Sequence, residues 1–279
     1  MVHIPVDIEK AVQKECKRRG YSEKTAKAYI YCINSFMNFT NKSLDKISKR
    51  DVRLFLEHLS ERGKAGNTMN LYHMAMRFLF ENVLDKRMWI NIRYSKVPQR
   101  LPIILNKEEI KSLFEVIKNP KHKLMIQLMY SAGLRVSELI SLRLEDLDLE
   151  KGYGWVRKGK GNKDRLFILA SSLKNPIQNF ISSKKLNEYN YLFTSFNGKK
   201  YNVASLRQII RKATKITGIK KRVSCHTLRH SFATHLIENG YSVLEVQSLL
   251  GHKSPETTAM YIHTASPTLI KIKSPIDSL

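Results

Sequence analysis

Residues 224–237 read SCHTLRHSFATHLI. At helical period, Leu228, Phe232, Ala233, Leu236 and Ile237 form one apolar stripe, yet His226, Arg229, His230 and His235 are set among them. His226 and Arg229 are three apart and share a helix face near its start, a placement that core packing alone does not ask for. A zinc site built from Cys225, His226, His230 and His235 fails on geometry, because adjacent residues and an i, i+5 pair do not converge on one tetrahedral point. His230 and His235 read as core histidines. In SAGLRVSELISL, Gly133 marks a turn and puts Arg135 at the start of the next helix, where backbone N–H groups collect phosphate. A surface arginine paired with Glu138 accounts for that segment equally well taken alone. In RKGKGNKDR, Lys158, Lys160 and Lys163 sit at a glycine-containing turn that allows close approach to a ligand. A lysine there can donate a proton where an arginine cannot readily do so, although a basic turn that touches nothing would look the same. In LLGHKSPETTAMYIH, Gly251 ends a helix, His252 follows in the loop, and Ser254, Pro255 and Glu256 start the helix that carries Tyr261. A tyrosine in such a helix is ordinarily a core or rim residue.

These groups need elements to hold them. The first 95 residues read as four helices: about Asp7 to Arg19; one after the N-cap Ser22 with Ala26, Tyr29, Ile30, Ile33, Phe36 and Met37 inward; one from Ser48 with Asp51 three residues on; and one from about Thr68 to Leu84. The last turns Met69, Tyr72, Ala75, Met76 and Leu79 inward and leaves Asn70, His73 and Arg77 as a polar strip, which suits a solvated face and a groove-facing one equally. Residues 96–104, with their prolines and cations, read as a linker. A second domain, 105–279, opens on a capping box at Asn106 and Glu109, with helices to about Leu134 and again through VSELISLRLEDL. Two strand-like runs around residues 154–169 flank a Gly-Asn turn and read as a hairpin, after which the chain returns to helices. The fold class is mainly α with one small antiparallel sheet element.

The balance of charge is extreme, at +25 with pI near 10.0. Residues 1–100 carry 20 basic and 10 acidic side chains, and residues 101–279 carry 29 and 14. Two basic folded lobes suggest a polyanion gripped from two sides, so nucleic acid is favoured over a membrane surface. Three scattered cysteines, Cys16, Cys32 and Cys225, give no disulfide framework and fit a reducing cytoplasm. With no apolar run near the ~20 residues of a membrane span, the chain is expected to be soluble and cytoplasmic.

In order, Arg135, Lys160, His226, Arg229, His252 and Tyr261 stand within GLRVSEL, GKGNKDR, HTLRHSFATHL and LLGHKSPETTAMY. This order and these surroundings closely resemble the tyrosine recombinase (phage integrase) family, and most of all its short Xer-type members. The resemblance covers the whole chain and implies a helical, SAM-like core-binding front domain and a catalytic domain behind it. It implies that Arg135 and Arg229 grip the non-bridging oxygens of a scissile phosphate, with His226 and His252 beside them. Tyr261 would be the nucleophile that forms a 3′-phosphotyrosyl link, and Lys160 the general acid for the leaving 5′-oxygen. It further implies no metal and no other cofactor. Double-stranded DNA is the expected partner, bound by a homotetramer on paired sites, with room for a paralogous or accessory protein. Base and backbone contacts are expected from Asn70, His73, Arg77, Lys158 and Lys163. The competing readings are a type IB topoisomerase, a non-catalytic DNA-binding protein of the same fold, and a basic RNA- or ribosome-binding protein.

Overall fold

The computed structural model describes residues 6–86, 95–96, 101–157, 159, 164–187 and 189–251. The chain divides into two compact units, Met1–Gln99 and Arg100–Leu279.

Among the described residues, the front unit has four α-helices: α1 (Val6–Arg18), α2 (Glu23–Thr40), α3 (Lys49–Glu61) and α4 (Gly66–Arg77). The starts are written in short polar residues. Ser22 accepts from the Thr25 N–H at 3.1 Å, and Ser48 and Asp51 form a reciprocal capping box with Ser48 N–H donating to Asp51 at 2.8 Å. Past Arg77 the helix widens to π spacing over Phe78–Val83, which brings Phe78, Leu79 and Phe80 into the core together. The core is aromatic: Phe36 lies 5.3 Å from Phe55 and 6.3 Å, edge-on, from Phe80.

The expected polar strip on α4 is not one surface. His73 is only 3% exposed, while Leu71 and Met74 are exposed instead. The reason is rotational. At about 100° per residue, His73 and Leu71 lie on opposite shoulders of the apolar face, and the fold covers the shoulder of His73. Asn70 is half-buried and engaged within the unit: its amide donates to the Ser95 carbonyl at 3.1 Å and accepts from the Ser95 N–H at 2.8 Å. Arg77 alone of the three is exposed, and it forks onto Glu81 at 3.1 and 3.2 Å.

The second unit begins with α5 (Lys107–Glu115), capped by Asn106 and Glu109 as expected, and α6 (Pro120–Ser131). Leu124, Met125, Ile126, Leu128 and Met129 of α6 are all buried, so this helix is apolar nearly all round and forms the centre of the unit. The helix expected through residues 136–147 is far shorter. It runs as α7 (Val136–Leu139), then a 3-10 turn at Leu144–Asp146, then the strand β1 (Leu147–Asp148). Pairing with a distant segment takes this backbone out of the helix: the Leu142 carbonyl accepts the Leu192 N–H at 2.8 Å and the Leu144 N–H donates to the Asn190 carbonyl at 3.2 Å, around an antiparallel bridge of Arg143 with Tyr191. The Asp146 carboxylate then accepts the Arg143 N–H at 3.0 Å and starts a new turn. β1 pairs antiparallel with β2 (Tyr153–Val156), and β2 with β3 (Arg165–Ile168), in register Val156↔Arg165. The expected hairpin is therefore two strands of a three-stranded sheet. Arg157 ties the hairpin across its turn, with Nη1 donating to Asp164 at 3.1 Å. The remaining helices are α8 (Ser171–Lys184), α9 (Val203–Thr217), α10 (Cys225–Glu238) and α11 (Val243–Leu250). Among the described residues, no helix is long and apolar enough to cross a membrane.

Candidate active site

The candidate site is where α7, β3, α10 and the end of α11 meet. Arg135 precedes α7 in extended conformation, and Gly133 before it has a φ of 58°. A Cβ at Gly133 would lie 2.4 Å from the Phe232 ring, so the position excludes a side chain on two counts. Glu138 reaches back over this turn. Its carboxylate accepts from the Arg135 N–H at 2.9 Å and from Arg135 Nη1 at 2.7 Å. The surface pairing expected of a lone arginine is thus present, but it is not at the surface: Glu138 is 8% exposed.

Two further arginines converge on the same carboxylate. Arg165, the first residue of β3, donates through Nη2 to Glu138 at 2.6 Å and through Nη1 to the Leu249 carbonyl at 2.6 Å. Arg229 of α10, 3% exposed, brings Nη1 to 3.9 Å from Glu138. It donates to the carbonyls of Gly133 and Leu250 at 2.5 Å each. Leu249 and Leu250 end α11, whose last carbonyls have no intrahelical partner, and the two guanidiniums supply donors to them. Burial opposes the charge on Glu138, but Arg165, then Arg135, outweigh it and hold the carboxyl below its usual value. Burial likewise pulls the Arg165 guanidinium below its usual value against the support of Glu138.

The start of α10 explains the H-x-x-R spacing. Ser224 and Thr227 cap the helix reciprocally, so His226 falls in the first turn and Arg229 one turn deeper on the same side. His226 is exposed; partial desolvation first, then Arg229, Arg135 and Arg207, push its imidazole below its usual value, so it is neutral near pH 7. A neutral imidazole beside two fixed cations can accept a proton or donate one hydrogen bond. His230, 6.3 Å away ring to ring, is pushed down to about 4 by burial, with His226 and Arg229 adding to it. His235 is a core residue hydrogen-bonded to the Tyr130 hydroxyl at 2.8 Å.

From His226 a basic groove of about 550 Å³ runs along α9, lined by Arg207, Arg211, Lys215, Lys221 and Arg222. The first three recur at i, i+4 and i+8, opposite the buried Leu206, Ile210 and Ala213. That stripe was legible in the sequence as basic residues facing away from an apolar face. Glu138 was visible as the spacing partner of Arg135, whereas Arg165 was visible only as the last residue of GKGNKDR. Of the expected site residues, the structure brings Arg135, His226 and Arg229 together. Lys158, Lys160, Lys163, His252 and Tyr261 lie outside the described residues.

The profile of the phage integrase family matches residues 104–267, and that of the phage integrase N-terminal SAM-like domain matches residues 8–90. A tyrosine recombinase of Pseudothermotoga lettingae is 36% identical over 256 residues, covering 88% of this chain and 89% of the relative. Tyrosine recombinase XerD of Oceanobacillus iheyensis is 34% identical over 271 residues, covering 90% and 91%. Tyrosine recombinase XerA of Pyrococcus furiosus is 35% identical over 257 residues, covering 90% and 87%. Among solved structures, XerH bound to its palindromic difH substrate after cleavage superposes with a TM-score of 0.74 at 25% identity, covering 94% of this chain and 83% of that one. With both profiles matched in order and relatives aligned over nearly their full length, the chain belongs to the phage integrase family, as a tyrosine recombinase of the Xer type.

Proposed function

We propose that this chain cuts and rejoins double-stranded DNA at a specific site through a covalent 3′-phosphotyrosyl intermediate, without metal or any other cofactor. The observation that carries the reading is the convergence of Arg135 and Arg229, from separate elements, on one buried carboxylate with His226 at the rim. A phosphodiester under attack develops negative charge on its non-bridging oxygens, and fixed guanidiniums meet that charge without reorganising. Tyr261 Oη forms the bond to phosphorus while the bond from phosphorus to the 5′-oxygen breaks. The phenolic proton passes to a base, a role open to the neutral His226, and the departing 5′-oxygen takes up a proton, which the family resemblance assigns to Lys160. Attack by a 5′-hydroxyl of another strand reverses the step, and the conserved phosphodiester energy makes ATP unnecessary. His252 completes the phosphate grip in this reading.

DNA as the partner is supported by the charge of +25, by the groove that leads to His226, and by the DNA-bound state of the XerH neighbours. The SAM-like profile on the front unit favours a recombinase over a topoisomerase. Action as a homotetramer on paired sites, in the nucleoid, and the division into domains 1–95, linker 96–104 and 105–279 belong to the same proposal. The test is covalent trapping on nicked DNA carrying the host's candidate recombination site, in the presence of a chelator. Wild type should give a protein–DNA adduct on a denaturing gel, lost in Tyr261→Phe and reduced about 10²–10³-fold in Arg229→Ala. An adduct that survives Tyr261→Phe would overturn the choice of nucleophile. Tight binding with no adduct would leave a binding protein of this fold.

A further inference from the structure

Arg165 belongs to none of the groups assigned to the reacting phosphate, yet it is among the most constrained cations in the second unit. Its side chain is 9% exposed, and its two terminal nitrogens are fixed to different elements, Glu138 of α7 and the Leu249 carbonyl at the end of α11. The fit is close. A Cβ on Gly251 would stand 2.6 Å from Arg165 Cδ, so the chain leaving α11 passes directly over this side chain, and the φ of 62° there also favours glycine. Arg229 makes the parallel connection one residue on, to the Leu250 carbonyl. Glu138, held from one side by Arg165, holds Arg135 from the other through both Nη1 and the backbone N–H.

We propose that Arg165 is a positioning residue for the phosphate grip: it fixes the Glu138 carboxylate and the end of α11, and so sets where the guanidiniums of Arg135 and Arg229 are held. This rests on the strand-transfer reading above. A lysine cannot replace it, because a single ammonium does not span two acceptors on separate elements as a guanidinium fork does. The alternative is that Arg165 merely stitches β3 to α11, in which case its loss would weaken the fold and slow every substrate alike.

The two accounts separate on the charge of the scissile group. Arg165→Lys and Arg165→Met are compared with wild type on two nicked DNAs, one with an ordinary scissile phosphodiester and one with a methylphosphonate, in which a methyl group replaces a charged oxygen. The readout is the single-turnover rate of adduct formation, with thermal unfolding measured in parallel. A displacement of arginine donors by ~1 Å costs on the order of 10²-fold, so Arg165→Met is expected to lose about that much on the phosphodiester. On the methylphosphonate there is no full charge to hold, and the loss should shrink to about 5-fold or less, with Arg165→Lys following the same pattern. Arg165→Lys also keeps the test open should Arg165→Met fail to fold. Equal losses on both DNAs, or no adduct from either variant on the methylphosphonate, would overturn the positioning role. A wild type that forms no adduct on the phosphodiester would instead overturn the function on which it rests.

Discussion

Glu138→Gln removes one charge and almost no volume, and the cost should be large. The carboxylate is 8% exposed and has Arg165 at 2.6 Å, Arg135 at 2.7 Å and Arg229 at 3.9 Å. The side chains of Arg165 and Arg229 are themselves 9% and 4% exposed, so neither can turn to water when its counter-charge goes. Breaking a buried ion pair from one side costs about 3–5 kcal/mol, because the remaining charge stays desolvated. The glutamine amide also turns an N–H₂ group toward one guanidinium, where a second acceptor stood. For a unit of residues 100–279, at about 2–4 °C per kcal/mol, the unfolding midpoint should drop by roughly 6–20 °C at pH 7.

The pH dependence gives an independent check. Because the folded protein holds the Glu138 carboxyl below its usual value, its contribution is fully present above the unfolded pKa of about 4.3 and is lost as pH falls through the folded value. The gap between wild type and Glu138→Gln should therefore narrow as the pH is lowered below about 4. Circular-dichroism melts of both proteins at pH 7, 5 and 3.5 measure this directly. A gap under ~2 °C at pH 7, or one that widens on acidification, would show that the three arginines do not depend on this carboxylate.

Three further outcomes are expected. Gly133→Ala must place a methyl 2.4 Å from the Phe232 ring at a φ of 58°, which should cost about 2–4 kcal/mol in urea unfolding; a loss below ~1 kcal/mol would mean that the turn before Arg135 relaxes freely. The double variant Arg207→Ala/Arg211→Ala should lower the slope of log K against log salt for DNA binding by about 1.8, at ~0.9 per phosphate contact, and an unchanged slope would remove α9 from the interface. His230, pushed down to about 4 in the folded chain, binds its proton in the unfolded state first, so stability falls as pH drops from ~6.5 to ~4, by at most ~3 kcal/mol from this residue. His230→Gln should flatten that part of the pH–stability curve, and a curve as steep as wild type would refute the assignment.

Features governed by near neighbours were readable in advance. Ser22, Ser48 with Asp51, and Asn106 with Glu109 start helices in the structure where their spacing places them, because a cap needs only the next three residues. The apolar face of α4 was readable too, but not which of its shoulders would be covered. His73 and Leu71 flank that face symmetrically, and only the packing of the unit decides that the histidine is buried and the leucine left 36% exposed. The same limit hid the short α7. Leu142 and Leu144 give their backbone groups to Leu192 and Asn190, and Leu147 and Asp148 find strand partners at Gly154 and Tyr153, none of which the local sequence announces. At the site, Arg135 and Glu138 advertise themselves by spacing, whereas Arg165 is 27 positions from the carboxylate it binds.

The burial of that carboxylate runs against the overall charge pattern. A chain with 49 basic and 24 acidic residues could gather cations for a polyanion simply by leaving lysines on its surface. Such a patch binds, but each flexible side chain gives up rotamer freedom when it is ordered, and water screens its charge. Around Glu138 the opposite course is taken: an acid is buried among three arginines. Three guanidiniums this close would repel one another, and the carboxylate lets them stand together before any ligand arrives. The ordering is then completed during folding and is not repeated at each encounter with a phosphate, which is the condition under which fixed dipoles and charges lower a reaction barrier instead of only tightening binding. The groove along α9 has no need of that device. Its helix cations Arg207, Arg211 and Lys215 remain exposed, because holding a duplex needs many approximate contacts, whereas stabilising one phosphorus centre needs a few exact ones.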